Sequence, residues 1–389
     1  MTWTTSLINN NFTFLSFTNL TLQVSRPWKL TVRRPTMESK TIGHLHLAPT
    51  NRKPLLKSQP TASSAPSSIP HGKIHVHPSL PSPPTQDSLD ASITFIGNAT
   101  TLLEWNGIRL LTDPNFLHAG DHVHLGPGVT AKRLKDPHVD LDQLPALDAI
   151  LLSHYHEDHF DKLVEDSLNR DFDIISTPHA RDNLAGKKPE PFTNVHALDP
   201  FESLMLHVAE GRKSNSREAV VKVTATPGKH VPPGGLLEKA NDLLGAVPPT
   251  NGWVLELGWA TGAQIEAGQG EVDVGYRIYI SGDTLMVDEL REIPERLREG
   301  RIDLMLVHLG GTTIPGPGLP VLMVTMDAEQ GVKLMRLVNP DVTIPIHFDD
   351  YDVFLSSLED FKGEVGKSEF RERVVYLERG EQYGFKVRE

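Results

Sequence analysis

The alternation of apolar and polar positions from residue 91 onward predicts short strands separated by turns. ASITFIG, TTLLEW and IRLLTDP, within residues 91–114, are β-rich runs divided by Gly and Asn, as in a hairpin meander. The apolar run in DAILLSH predicts a buried strand, and further strands are predicted in DFDIIST, NVHAL, AVVKVTAT, GWVLELG and YRIYISGD.

Helical periodicity follows in the second half of the chain. VDELREIPERLREG and AEQGVKLMRLVN carry apolar residues at helical spacing, and FDKLVEDSL looks like a helix start. Each of the first two segments is followed by a predicted strand, in DLMLVHLGG and DVTIPIHFDD. The mixed pattern indicates an α/β fold in which sheets pack face to face with helices outside.

The first 90 residues have a different composition. Residues 58–85 are dense in Pro and Ser, which predicts that residues 1–90 form a low-complexity, largely disordered extension to a domain at 91–389. Residues 1–37 contain four arginines and lysines and no acid, as in a mitochondrial transit peptide. A disordered tail, or translation that starts at Met37, explains the same residues, and the protein is otherwise expected in the cytoplasm.

The charge and the residue counts exclude several classes of function. The net charge of −12 argues against a nucleic-acid partner, and no apolar run is long enough for a transmembrane helix. The chain has no cysteine, so any metal must be held by imidazole and carboxylate groups. The expected partner is a small-molecule substrate, and the oligomeric state is left open.

A dense group of metal-ligand residues follows the predicted strand at 148–152. SHYHEDHFD places three histidines and two acids within His154–His159. In an extended loop His154, His156 and Asp158 share one side, while the adjacent His159 diverges. Since four neighbouring donors are hard to aim at one ion, the pattern predicts two: His154 and His156 for the first, and Asp158 and His159 for the second.

Three further donors follow predicted strands downstream. His230 lies in TATPGKH, Asp283 in YISGDT and His347 in TIPIHFDD. A carboxylate such as Asp283 has two oxygens and is able to bridge two ions. The prediction therefore requires these three side chains to converge on the SHYHEDH loop.

In this order, the HxHxDH element, TPGKH, SGDT and the late PxH resemble the metallo-β-lactamase superfamily over residues 91–389. FIGNATTLLEWNGIRLLTDPNF and MDAEQGVKLMRLVNPDVTIPIHFDDYDVF resemble its branch of L-ascorbate-6-phosphate lactonase-like hydrolases, which is close to N-acylphosphatidylethanolamine phospholipase D. The resemblance implies a four-layer αββα sandwich with the site along one edge of its two sheets. Relatives often have a histidine at the position of Asn98, so substrate specificity is not transferred.

The resemblance also implies a binuclear site. His154, His156 and His230 would hold one ion, Asp158, His159 and His347 the other, and Asp283 would bridge them together with a hydroxide. Two Zn²⁺ ions are expected, with Mn²⁺ as an alternative. Asp158 and Asp283 are the predicted catalytic carboxylates, Asp113 is predicted to hydrogen-bond the ligand loop, and His308 is a candidate for substrate contact or a core histidine.

The predicted function is hydrolysis of a small ester, lactone or phosphodiester by a metal-bridging hydroxide. One alternative is an N-acyl phospholipid phosphodiesterase of the phospholipase D type, which would need an apolar surface for acyl chains. Another is a non-catalytic metal-binding protein of the same fold.

Overall fold

A computed structural model describes the chain at residues 42–80, 89–126, 128–208, 217–232, 234, 241, 247–268, 270–297, 300–316 and 319–389. The strands are β1 (Gly43–Leu47), β2 (Ile74–His75), β3 (Ala91–Gly97), β4 (Thr100–Trp105), β5 (Ile108–Thr112), β6 (His122–His124), β7 (Thr130–Lys132), β8 (Ala149–Leu151), β9 (Ile174–Ser176), β10 (Val195–Ala197), β11 (Ser203–Val208), β12 (Arg217–Pro227), β13 (Asn251–Thr261), β14 (Asp273–Ile280), β15 (Leu304–His308), β16 (Thr313–Gly316), β17 (Leu319–Met323), β18 (Val342–Ile346) and β19 (Gln382–Phe385). The helices are α1 (Lys162–Ser167), α2 (Pro178–Ala185), α3 (Gly262–Glu266), α4 (Glu292–Arg296), α5 (Ala328–Val338) and α6 (Leu358–Gly366).

Two large mixed sheets contain most of these strands. The first has the order β1-β11-β12-β13-β14-β15-β18, and the second has the order β10-β9-β8-β5-β4-β3-β19-β2. Two hairpins, β6–β7 and β16–β17, form small sheets of their own. The predicted meander is confirmed, since β3, β4 and β5 pair antiparallel, and the β4–β5 turn uses Asn106 and Gly107 at positive φ.

The sheets are apolar on both faces, which explains why their strands appear as continuous hydrophobic runs. In β8, Ala149 and Leu151 lie in the core between the sheets, whereas Ile150 lies in the outer core that contains residues of α1 and α2. In the other sheet, alternate residues also pack on opposite faces. Leu306 of β15 lies in the core between the sheets, and Met305 packs in a cluster with residues of α4, α5 and α6. Helix, sheet, sheet and helix layers follow, so the predicted αββα sandwich is confirmed.

The helices begin where the sequence supplies capping groups. Asp161 accepts a hydrogen bond from Val164 N at the start of α1, and Asp327 accepts one from Gln330 N at the start of α5. The predicted helix over 287–300 is shorter in the structure, because a 3₁₀ turn at Asp288–Arg291 precedes α4. Pro294 has no amide hydrogen and is tolerated only within the first turn of α4, which explains the break.

The segment before residue 91 contributes to both sheets. β1 lies parallel to β11, β2 lies parallel to β19, and Leu45, Leu55 and Ile69 are buried. The predicted domain boundary at residue 91 is therefore too late, because residues 42–80 bury apolar side chains against the domain. Residues 1–41, which include the segment considered as a transit peptide, lie outside the described residues. In the described part of the chain, no helix has the length and apolar content needed to cross a bilayer.

One edge of the two sheets collects the carboxyl ends of six strands. β5 and β8 are parallel neighbours in one sheet, and β14, β15 and β18 are parallel neighbours in the other. β12 and β14 both run antiparallel to β13, so they also end at the same edge. Loops after parallel strands form a crevice that commonly holds the functional site of an α/β protein.

Candidate metal centre

The SHYHEDH loop leaves β8 and is held at both of its ends. Ser153 N donates to Asp113 Oδ1 at 2.6 Å, and the loop returns into α1 through the Asp161 cap. Asp161 also accepts a hydrogen bond from Phe116 N at 2.5 Å. His154, Asp158 and His159 are buried, and the His156 side chain is 13% exposed. The loop therefore presents its ligand residues to the interior of the crevice.

The three downstream donors reach the same place from other strand ends. His230 follows β12, Asp283 follows β14 and His347 follows β18. His347 has φ of 60°, a strained value for a residue other than glycine, and such values cluster at functional sites. All seven predicted ligand residues are thus brought together, although they are spread over nearly two hundred positions of the sequence.

The ligand atoms form two adjoining groups. His154, His156 and His230 make one group, and Asp158, His159, Asp283 and His347 make the other, with the ligand atoms of each group within 4.8 Å of one another. Asp283 Oδ2 touches both groups: it lies 3.3 Å from His159 Nε2 and 3.6 Å from His230 Nε2. This is the location expected for a bridging carboxylate.

Hydrogen bonds at the far ring nitrogens orient the histidines. His230 Nδ1 lies 2.6 Å from Val324 O, and His347 Nδ1 lies 2.9 Å from Leu309 O. A carbonyl oxygen only accepts, so when either ring is neutral its Nδ1 carries the proton and its Nε2 has a lone pair for a cation. The Nε2 atoms of His154, His159, His230 and His347 are buried without a hydrogen-bond partner. Buried polar atoms are rarely left in this state, and the donor set fits divalent cations.

Burial and neighbouring charges set the protonation of these groups. Burial lowers the pKa of His154 well below the usual histidine value, and it lowers the pKa of His230 to about 4. Burial also opposes the charging of His159, but three surrounding carboxylates raise the pKa of that imidazole well above its usual value. Burial raises the pKa of Asp283, but His347 and His159 bring it well below the usual carboxyl range. Asp283 is therefore ionised, and His154 and His230 are neutral.

Asp113 and His308 lie beneath the second group. Asp113 Oδ2 lies 3.2 Å from His159 Nδ1 and 3.7 Å from His308 Nε2. Asp113 thus contacts a candidate ligand residue and the loop that carries it, as an orienting carboxylate does. The His308 side chain is 1% exposed, and Ser281 Oγ accepts a hydrogen bond from its backbone N at 2.9 Å. This burial favours a positioning role for His308 over substrate contact.

Replacing Asp113 with asparagine is expected to lower kcat/KM about 10–100-fold, the usual cost of losing a group that orients a metal ligand. The amide has one accepting oxygen, so Ser153 N–H and His159 Nδ1–H no longer both find an acceptor. Asp142→Asn, an exposed change, is the matched control. If Asp113→Asn kept the same turnover and metal content as Asp142→Asn, Asp113 would have no role in orienting His159 or its loop.

Asn98 joins the two ligand loops, a role that the sequence did not indicate. Its side-chain Nδ2 donates to Asp158 O at 2.6 Å, and its backbone O accepts from His347 N at 3.0 Å. Its own backbone N donates to Asp350 Oδ2 at 2.7 Å. Asn98 is fully buried and has φ of 51°, a left-handed conformation that Asn tolerates. It therefore links two loops that carry candidate ligand residues and offers no surface to a substrate.

Asp350, which binds the backbone of Asn98, belongs to a buried network of ion pairs. Asp350 Oδ1 lies 3.0 Å from Arg133, and Asp350 Oδ2 lies 2.8 Å from Arg379. Arg133 and Asp350 are both completely buried. Sequence reasoning missed these residues, because nothing near positions 133 or 379 sets these arginines apart from surface ones.

Removing the Asn98 side chain is expected to reduce bound metal and to lower kcat/KM about 10–100-fold, because the buried Asp158 carbonyl loses its donor. Asn98→Gly isolates this effect, since glycine adopts the left-handed backbone without strain. Asn98→Ala adds backbone strain, so its Tm is expected below that of Asn98→Gly. Full metal content and full activity in Asn98→Gly would contradict the positioning role.

A narrow pocket opens above the metal-ligand groups. It is lined by Leu125, His156, Asp158, His230, Val247, Asp283, Thr312 and Val324, and its volume of about 10 Å³ is enough for roughly one water molecule. Leu125 follows β6 in the β6–β7 hairpin, which is tied to the ligand loop because His124 N donates to Glu157 Oε2 at 2.7 Å. Beside the candidate ligand residues, the described lining therefore consists of three aliphatic side chains and Thr312.

Comparison with known proteins agrees with this architecture. A family model described as "Beta-lactamase superfamily domain" matches residues 108–348. A metal-dependent hydrolase of Aeropyrum pernix is 24% identical over 297 residues, which cover 76% of this chain and 98% of that protein. An N-acyl-phosphatidylethanolamine-hydrolyzing phospholipase D of Caenorhabditis elegans is 24% identical over 259 residues, which cover 66% of this chain and 64% of that protein.

Among solved structures, an isothiocyanate hydrolase from Delia radicum gut bacteria has a TM-score of 0.56 and 19% identity, and the match covers 76% of this chain and 100% of that chain. At this identity the likeness concerns the fold. The family match spans more than half of the chain, and the fold and the relatives agree with it. The chain therefore belongs to the metallo-β-lactamase superfamily, in the branch that includes metal-dependent hydrolases and an N-acylphosphatidylethanolamine phospholipase D.

Proposed function

We propose that this metal-dependent hydrolase holds two divalent cations and hydrolyses a small ester, lactone or phosphodiester. The observation that supports this most directly is the convergence of four buried, unpartnered histidine Nε2 atoms on two carboxylates. His154, His156 and His230 would hold one cation. Asp158, His159 and His347 would hold the other, with Asp283 shared between them. Zinc suits this nitrogen and oxygen donor set, and manganese tolerates it.

Bound cations would supply a hydroxide near neutral pH and would polarise the bond under attack. The chain's own residues then determine where this chemistry occurs. Asp158 and Asp283 are buried carboxylates that would hold the cations and would accept a hydrogen bond from the nucleophile. Asp113 keeps the His159 ring in place, and the aliphatic cover of the pocket excludes bulk water.

Metal analysis and a substrate panel test the proposal together. We expect two equivalents of zinc per chain after reconstitution, and turnover of at least one substrate among p-nitrophenyl esters, small lactones and bis(p-nitrophenyl) phosphate. Metal bound at full stoichiometry without turnover of any of these would favour a non-catalytic metal-binding protein. Failure to bind metal would contradict the site itself.

The second candidate is an N-acyl phospholipid phosphodiesterase. Its support is the match to the Caenorhabditis elegans phospholipase D, which covers 66% of this chain. Zinc-loaded protein would be incubated with vesicles that contain N-acylphosphatidylethanolamine, and release of the N-acylethanolamine would be measured. No release from these vesicles removes this alternative and leaves the small-molecule proposal intact.

A further inference from the structure

The wall of the pocket differs in chemistry from its floor. The floor is formed by His156, Asp158, His230 and Asp283, which belong to the metal-ligand groups. The wall is formed by Leu125, Val247 and Val324, together with Thr312. Among the described residues that line the pocket there is no lysine or arginine. A charged group on a substrate would therefore face aliphatic side chains.

Among the described residues of this lining, Thr312 is the single one with a hydroxyl group. It is 5% exposed, and its Oγ1 is buried without a hydrogen-bond partner. Leaving a buried hydroxyl unpaired is unfavourable, so a ligand that enters the pocket lined by Thr312 is a candidate partner for its Oγ1.

The backbone holds Thr312 in fixed register with a metal-ligand residue. Val324 N donates to Thr312 O at 2.8 Å, and Val324 O accepts from His230 Nδ1 at 2.6 Å. Thr312 and His230 are thus both hydrogen-bonded to the backbone of Val324. The loop before Thr312 packs closely, because a Cβ at Gly311 would lie 2.9 Å from Ser356 Cβ. The hydroxyl is consequently placed by the same framework that places His230.

The size of the pocket adds a constraint on the substrate. The described lining leaves room for roughly one water, and a substrate group that enters beside the metal-ligand groups meets Leu125, Val247 and Val324. An apolar group loses little by packing against these aliphatic side chains, whereas a charged group gives up hydration that no lysine or arginine of the described lining replaces.

We infer that the substrate carries a small, uncharged apolar group beside the bond that is hydrolysed, and that Thr312 donates a hydrogen bond to an oxygen of the substrate. This deepens the proposed function and rests on it. The aliphatic side chains of the wall disfavour a charged substrate group. The Thr312 hydroxyl supplies a neutral polar contact that orients the substrate.

Binding of simple carboxylates tests the inference without turnover. Butyrate and succinate each offer a carboxylate to the metal centre, but only succinate directs a second charge at the wall. Isothermal titration of zinc-loaded protein should show butyrate bound at least about tenfold more tightly than succinate. Equal binding, or tighter binding of succinate, would overturn the apolar selection.

Variants at two adjacent threonines test the hydroxyl. Thr312→Val keeps the shape and should weaken butyrate binding about five- to tenfold, whereas Thr312→Ser should restore it. Thr313→Val is the matched control, because Thr313 has the same 5% exposure and an unpartnered Oγ1 but does not line the pocket. Unchanged binding in Thr312→Val, or equal losses in both valine variants, would overturn the role of Thr312.

Metal content, measured before each titration, separates the two levels of the proposal. A wild-type protein that holds no zinc overturns the proposed function, and this inference with it. A protein that holds two zinc ions, turns over a panel substrate and binds succinate as well as butyrate overturns the inference alone.

Discussion

Replacing Asp283 with alanine is expected to lower kcat/KM by at least ~10³-fold while the fold persists, since a bound metal contributes several kcal/mol to transition-state stabilisation. Asp283 is the carboxylate that touches both ligand groups, at 3.3 Å from His159 Nε2 and 3.6 Å from His230 Nε2. Its loss therefore affects both proposed cations. Turnover of the best panel substrate and zinc per chain are the measurements.

A second variant and a control make this result interpretable. Asp283→Asn keeps the volume of the side chain and removes its charge, so it should lose activity without a cavity. Asp288→Ala removes a carboxylate that is 93% exposed a few positions along the chain, and it should behave as the wild type. His156→Ala tests the first ligand group and should also abolish turnover. Full activity in any of the Asp283 or His156 variants would place the active site elsewhere.

Removing bound metal with a chelator is expected to lower Tm by on the order of 10 °C. A ligand that binds only the folded state stabilises it by RT ln(1 + [L]/Kd), and this stabilisation is about 4 kcal/mol at a thousandfold excess over Kd. The reason lies in the centre itself, where Asp158 and Asp283 are buried together with unpartnered imidazole nitrogens. Without cations these groups keep their desolvation cost, and the ion pairing of His159 with the carboxylates compensates only part of it.

Reversal by zinc distinguishes metal loss from damage. Adding zinc to the chelated wild type should restore Tm, whereas Asp283→Ala should show a smaller shift because its centre is incomplete. A wild-type Tm that is the same with and without metal would mean that the buried centre is stable on its own. That result would also remove the reason to regard the unpartnered nitrogens as metal ligands.

Local sequence pattern predicted much of the fold because strand and helix periodicities are local properties. The runs at 91–97, 100–105 and 108–112 are strands in the structure, and the segment 328–338 is a helix. The pattern failed where a distant partner decides the outcome. Residues 42–80 look too polar and too rich in proline to fold alone, but Leu45 and Ile69 are buried against a domain that lies later in the chain.

In the candidate centre too, some residues were predictable from local sequence and others depend on distant partners. SHYHEDHFD and the donors His230, Asp283 and His347 are visible in the sequence, because ligand residue types after apolar strands are a recognisable pattern. Asn98 and Thr312 are not visible in this way. An asparagine in a turn and a threonine after two glycines have ordinary local explanations. What they contact is set by tertiary packing: Asn98 bonds Asp158 and His347, and Thr312 lines a pocket together with Leu125.

By itself, the sequence determined the layered α/β class, the exclusion of thiolate ligands and the seven candidate donors, since these depend on residue type and short-range spacing. Only the tertiary structure brought the two predicted groups of donors together with Asp283 between them, and only it revealed that Asn98 and the Arg133–Asp350–Arg379 network hold the loops. The physical reason is that the centre is assembled from the ends of separate strands, and their juxtaposition is set by the packing of two sheets and not by any local stretch of the chain.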